Sequence, residues 1–111
     1  MPAPDLALPA AMVESMREPL LFVDPQHVIR YMNRAALAHY KQGAALLGTS
    51  LMACHKEASQ EMIHEIWARL EAGEEEVLYG EQPRVRLYMR AVRDAEGRLI
   101  GYMERRERRG E

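Results

Sequence analysis

Apolar and polar positions in the first part of the chain change period at recognisable turn residues. Three prolines lie within the first nine residues, and the apolar positions of segment 10–17 then recur at helical spacing. This spacing predicts a short helix, which Pro19 ends. Two short apolar runs follow, at 20–23 and 28–32, with an Asp-Pro turn between them. They predict a β-hairpin.

Helical patterns fill the middle of the chain, and strand patterns fill its end. Asn33 suits the N-cap of a helix over 34–41, because its side-chain oxygen can accept a free backbone N–H. The clearest amphipathic pattern lies over 59–72, ahead of Gly73. Its apolar face comprises Met62, Ile63, Ile66, Trp67 and Leu70. Three strands are predicted to follow, at 75–79, 84–93 and 98–106. This order predicts an α+β fold, with an antiparallel sheet and helices on one face.

Size and charge narrow the classes of function. With 111 residues the chain has the length of one domain, and a net charge of −2 gives no global attraction to nucleic acid or to an anionic membrane. No apolar run approaches the ~20 residues that span a bilayer, and the N-terminus lacks the pattern of a secretory signal. Cys54 is the only cysteine, so no intrachain disulfide can form. We therefore expect a cytoplasmic protein without nucleic-acid or membrane partners.

Three motifs occur in an order and spacing that resemble the PAS family. The first consists of LFVD at 21–24, VI at 28–29 and NRAA at 33–36. The second is LLG at 46–48, and the third is D-x-x-G-x-x-x-G at 94–101. The resemblance implies a PAS fold, with a five-stranded antiparallel sheet, helices packed on one face and an N-terminal helix.

The resemblance also divides the chain. Residues 12–105 are predicted to form the PAS domain, residues 1–11 a flexible N-terminal tail and residues 106–111 a C-terminal tail. Many members of the family have Gly in the first hairpin where this chain has His27, which leaves the type of that turn open. The ERRERRGE sequence at 104–111 is predicted to be a solvated strand end, because its arginines are offset by glutamates.

A narrower likeness concerns the CHKEAS sequence at 54–59. It resembles the Cys-His-Pro-Pro-x-Ser segment of PAS domains found with bacterial hemerythrin-like modules. Cys54, His55 and Ser59 match, and Lys56 and Glu57 replace the prolines. The resemblance implies the same bacterial subfamily.

A ligand site is predicted between the inner face of the sheet and the middle helices, where apolar clefts with few polar groups hold ligands. Helical geometry places four apolar residues and Ser59 on one wall, and the segment before the helix brings two more residues to the rim. The predicted wall and rim comprise Cys54, His55, Ser59, Met62, Ile63, Ile66 and Leu70. An anionic group could settle near the start of this helix, with His55 as an added donor. The simpler interpretation is a buried Cys54 that acts as a small hydrophobic residue, beside a His55 bonded to backbone.

The cofactor is left open. Haem-binding PAS domains take an axial histidine from the long helix, but the equivalent position here falls near Met62, and His64 is predicted to face solvent. His55 is the alternative haem ligand. The cysteine of flavin photosensors corresponds to Leu51, so the motif that forms a flavin adduct is absent. The chain also lacks the ligand count of a structural zinc site.

The predicted function is a sensory module that binds a small molecule in this pocket and signals through dimer or partner contacts. The alternative is a ligand-free homodimerisation or protein-interaction module, whose interface would use Met12, Val13 and Met16 together with the exposed face of the sheet. A haem-based gas or redox sensor is the less favoured alternative. No enzymatic activity is expected, because Cys54-His55 lacks a third group that would orient a base toward a nucleophile.

Overall fold

The computed structural model describes residues 7–54 and 56–109, with Cys54 described by its backbone alone. Three α-helices, two 3-10 turns and five strands follow one another along these residues. In chain order they are α1 Ala7–Ser15, β1 Leu20–Val23, β2 Ile29–Met32, α2 Arg34–His39, the turns Gly43–Leu46 and Met52–Cys54, α3 Glu57–Glu71, β3 Glu76–Gln82, β4 Val85–Arg93 and β5 Leu99–Arg108. The predicted α+β fold with an N-terminal helix is confirmed. None of the helices within these residues has the length and apolarity needed to cross a membrane.

The five strands form one antiparallel sheet in the order β2-β1-β5-β4-β3. The C-terminal strand β5 is therefore central, with β1 on one side and β4 on the other. Gly101 in β5 permits this close fit, because a side chain there would collide with the Phe22 ring and the Val23 carbonyl. Any ligand contact made by β5 is consequently made from the middle of the sheet.

The apolar core lies between the inner face of this sheet and the helices. On α3 the fully buried residues are Ile63, Ile66 and Leu70, which recur at the spacing of one helical face. They pack against a cluster that also contains Leu21, Val23, Ile29, Met32, Ala36, Leu51, Val77, Met89, Ala91 and Tyr102. Burying one such aliphatic side chain contributes roughly 1.5–3 kcal/mol, so α3 is held mainly by this stripe.

Asn33 connects three elements. It caps α2 as predicted, accepting from the Ala36 N–H at 2.9 Å, and it also accepts from the Leu20 N–H at 3.0 Å. Its amide nitrogen donates to the carbonyls of Val13 and Glu18, both at 3.1 Å. This fully buried side chain therefore fixes the segment after α1 and the start of β1 relative to α2.

Element boundaries differ from the sequence prediction at several ends. Helix α1 begins at Ala7, within the segment predicted to be a tail. Helix α3 begins at Glu57, two residues early, because Lys56 has the extended backbone of an N-cap. Strand β3 runs on to Gln82, and β5 runs on to Arg108 because its pairing with β4 continues as far as Val85.

Candidate functional site

A small cavity lies between α3 and the inner face of the sheet, where the sequence analysis places a ligand site. Its volume is about 80 Å³. The lining residues come from α3 and from three neighbouring strands: Ser59, Met62, Ile63, Ile66, Tyr79, Met89 and Glu104. The cavity has the mixed lining of a binding site, with an apolar wall and a few polar groups.

Four of the predicted site residues line this cavity, namely Ser59, Met62, Ile63 and Ile66. Leu70 does not line it, since it lies one turn further along α3 and is fully buried in the core. The side chain of Cys54 and the whole of His55 lie outside the described residues, so their predicted place at the rim stays a prediction. Met62 was expected on the buried face, but it is 38% exposed because it stands at the edge of the α3 stripe.

Glu104 is the polar centre of the cavity. In β5 it stands opposite Met89 of β4, on the face that carries buried Tyr102 and Ala91, so its side chain points toward the helices. The Tyr40 hydroxyl donates to Glu104 Oε1 at 3.0 Å. The interpretation of this region as a solvated strand end was wrong for Glu104. The signal that could have found it is the alternation of β5, which places residues 102 and 104 on one face.

Two half-buried tyrosines lie against this carboxylate. Burial raises the pKa of the Tyr79 phenol well above its usual value, and the negative charge of Glu104 raises it further. The pKa of Tyr40 is raised for the same two reasons, although the nearby Arg106 guanidinium partly opposes the rise. Both phenols therefore remain neutral hydrogen-bond donors at physiological pH. A ligand entering the cavity would meet the neutral Tyr79 hydroxyl and the Glu104 carboxylate, both of which line it.

An open cleft adjoins the cavity at the edge of the sheet. Its volume is about 200 Å³, and it runs between α3 and β3 past Glu65, Arg69 and Leu78. Met62, Ile66 and Tyr79 line both spaces. Met62 is the most adaptable of these, because an unbranched thioether chain changes rotamer readily. Together the two spaces approach the ~300 Å³ lower end of small-molecule pockets.

A second cluster of polar rings lies on the other side of α3. His27 has a positive φ of 64°, and its Nδ1 lies 2.8 Å from the Tyr102 hydroxyl. The rings of His64 and Trp67 stand edge-on to it, with centroids at 5.5 and 5.9 Å. Burial lowers the pKa of His27, the charge of His64 lowers it further, and Asp24 opposes both. Sequence analysis treated His27 only as a turn residue and missed this cluster.

The cavity does not fit a haem. It is far too small for the macrocycle, and the described part of its lining contains neither histidine nor cysteine. His64 faces solvent, as predicted, with its ring against His27. Within residues 7–54 and 56–109, no group of three or more His, Cys, Asp or Glu side chains is placed to hold a metal ion.

Comparisons with known proteins agree with this architecture. The family described as PAS fold matches residues 13–108. A search of curated proteins finds no significant match. Among solved structures, the C-terminal domain of a Streptococcus mutans protein superposes with a TM-score of 0.77 at 17% identity, covering 97% of this chain and 90% of that one.

Two further similar structures come from Vibrio cholerae. A sensory box sensor histidine kinase has a TM-score of 0.64 at 12% identity, with 94% of this chain and 91% of that one covered. The Aer2 receptor, described as a dual PAS-haem oxygen sensor, has a TM-score of 0.57 at 20% identity, with 82% and 93% covered. At these identities the likeness concerns the fold alone.

Proposed function

The chain belongs to the PAS fold family, and on that premise we propose that it is a cytoplasmic sensory module without catalytic activity of its own. It binds a small molecule between α3 and the sheet, and it transmits the resulting conformational change to a second copy or a signalling partner. The observation that supports this most is Glu104, a carboxylate bonded by Tyr40 at the wall of a cavity whose other lining residues are mostly apolar. Assignment to the hemerythrin-associated subfamily remains part of the proposal.

The lining chemistry indicates the ligand class. The Tyr40 and Tyr79 hydroxyls lie against Glu104, and the remaining lone pairs of its carboxylate can accept hydrogen bonds from a ligand. Met62, Ile63, Ile66 and Met89 supply apolar contact. The ligand is therefore a compact apolar molecule with one amine or other strong donor. It enters past Met62, through the cleft between α3 and β3.

The fold offers a path for the signal. Glu104 lies in the middle of β5, which pairs with β1 on one side and β4 on the other. A ligand that draws the carboxylate away from Tyr40 changes the contact between β5 and the residue that follows α2. Displacement of α2 then reaches α1, because Asn33 joins the start of α2 to the Val13 carbonyl.

Isobutylamine, with uncharged isobutanol as the matched probe, tests the site by amide-resolved NMR titration. We expect saturable shifts at Ile63, Tyr79 and Met89 with the amine, and at least tenfold weaker binding in Glu104→Gln. Binding of isobutanol, which is a neutral donor, should weaken far less with that substitution, and Ser59→Leu should block both probes by filling the cavity. The control Glu96→Gln, in an exposed turn, should bind like wild type. Shifts confined to the protein surface with both probes would contradict the site.

A ligand-free homodimerisation module is the second candidate, and one observation favours it. Leu8, Met12 and Met16 are 61%, 61% and 43% exposed, respectively. Leu8 and Met12 are four residues apart and lie on one face of α1, and Met16 follows directly after the helix ends at Ser15. The half-buried Val13 and Glu14 lie on the opposite side of the helix. An apolar stripe that faces away from its own domain is typical of an interface.

A further inference from the structure

A basic groove opens at the end of the inner sheet face, beyond α2. Its volume is about 500 Å³. It is built from four separate segments: the α1–β1 connection, α2, the start of β4 and the end of β5. The charged and polar members are Arg17, Glu18, His39, Arg84, Arg106 and Arg108, and the floor is made by small apolar residues. Among the described residues, the groove and the cavity around Glu104 have no lining residue in common.

The charge of this groove is opposite to that of the chain. Four arginines line it against one glutamate, whereas the whole chain has a net charge of −2. Glu18 forms a salt bridge with Arg108 at 3.1 Å, so its carboxylate is already paired with one of the four arginines. Among the described residues, neither Arg17 nor Arg84 forms a salt bridge. Elsewhere on the surface, arginines such as Arg69, Arg86 and Arg98 each stand against a carboxylate.

Arg106 has one nitrogen without a partner, although its guanidinium group also lies against the Tyr40 hydroxyl. Its Nε is shielded from solvent and has no hydrogen-bond partner among the described residues. A buried donor without a partner is costly, and native folds rarely leave one in that state. Glu104 precedes Arg106 by two residues on the same face of β5, but the carboxylate is bonded to Tyr40 and forms no ion pair with Arg106 in the described residues.

We propose that this groove is a second binding site, for a small polyanion that bears phosphate or carboxylate groups. Guanidinium groups bind both chemistries through paired N–H donors, with better geometry than an ammonium group. Arg84 and Arg108 belong to the sheet side of the lining, and Arg17 belongs to the α1–β1 connection. A ligand with two or more anionic groups fits the volume and can pair with arginines from both segments. The site goes beyond the sensory function proposed above and does not depend on it.

Titration of the ¹⁵N-labelled protein with inorganic pyrophosphate and, separately, with citrate tests the site. The work is done at about 0.15 M salt, where weak surface attraction is screened over ~8 Å. We expect saturable shifts at the amides of Ala35 and Ala38 and at the Arg106 Nε–H. Binding by either probe supports the site, and the tighter probe distinguishes a phosphate ligand from a carboxylate ligand.

Two variants and a control assign the binding to the groove. Arg106→Gln should weaken binding at least tenfold, and the double variant R17Q/R84Q should do the same without touching a buried residue. Arg69→Gln, an exposed arginine at the far end of α3, should bind like wild type. The proposal is overturned if neither probe saturates at about 10 mM, ten times a Kd of about 1 mM. It is equally overturned if R69Q weakens binding as much as the groove variants do.

Discussion

The Tyr40 hydroxyl donates to Glu104 Oε1 at 3.0 Å and thereby joins the end of α2 to the central strand β5. The two residues are 64 positions apart, and each is half-buried. Glu104 also lines the cavity beside α3. One hydrogen bond thus connects the helix over one end of the sheet with the wall of the candidate ligand site.

Stability should fall at alkaline pH because of the buried phenols. Burial, with the charge of Glu104, raises the pKa values of Tyr40, Tyr79 and Tyr102 in the folded protein. The unfolded chain, in which phenol pKa values are about 10, then loses its phenol protons at a lower pH than the folded chain does. The stabilisation is fully present below about pH 10 and is lost above it. Urea unfolding between about pH 8 and 11 measures the slope, and Tyr40→Phe should flatten it. An unchanged slope in that variant would contradict the buried-phenol assignment.

Asn33→Ala should be among the most destabilising substitutions in the chain. It removes an N-cap bond and leaves the Leu20 N–H and two carbonyls with one partner fewer. We expect a loss of roughly 3 kcal/mol in the free energy of unfolding. Lys56→Ala is the matched control, because Lys56 caps α3 without a side-chain hydrogen bond. It should cost less than about 0.5 kcal/mol by denaturant titration. Equal losses would show that Asn33 does not act through its side chain.

Much of the fold could be predicted because the periodicity of the chain agrees with its tertiary environment. The strand at Leu20–Val23 and the cap at Asn33 are local signals, and both match the structure. The predicted ends of α3 and β5 were less accurate. Lys56 caps α3 without a typical capping side chain, and β5 is extended by its pairing with β4 rather than by an apolar pattern.

The candidate site was predictable on its helical wall and not on its sheet wall. Met62, Ile63 and Ile66 follow from helical spacing alone. Glu104 stands in a run of charged residues, so the alternation that places it on the same face as Tyr102 is not visible as an apolar pattern, and its register opposite Met89 is what establishes that it points inward. The basic groove was beyond prediction for a similar reason: Arg17 and Arg106 are brought to one groove only by the fold.

Acidification should destabilise the protein through His27. Its folded-state pKa is lowered, first by burial and then by His64, so the neutral ring is favoured in the folded protein. The unfolded state therefore binds the proton first, and the stabilisation is complete above about pH 6.5 and declines below it. We expect His27→Gln to reduce the stability loss between about pH 7 and 5. Histidine ring shifts followed by NMR provide the direct check. A His27 ring that titrates above the free histidine value would contradict the assignment.

Charge placed on the exposed face of α1 should shift the protein toward monomer. Leu8 and Met12 point away from the domain, while Glu14 bonds the Tyr31 hydroxyl and Val13 accepts from Asn33, so the helix itself stays anchored. Leu8→Glu and Met12→Glu leave those anchors intact. If the stripe forms the homodimer interface, each variant should raise the dimer dissociation constant at least tenfold, because a carboxylate would be buried without a partner. Analytical ultracentrifugation over a concentration series measures the dissociation constant, and circular dichroism confirms that the fold is kept.

Ala68→Glu, on the exposed side of α3, is the charge-matched control and should leave the dissociation constant unchanged. A dimer that survives both α1 substitutions would place the interface elsewhere, and a wild-type protein that is monomeric at every concentration would exclude the homodimer altogether.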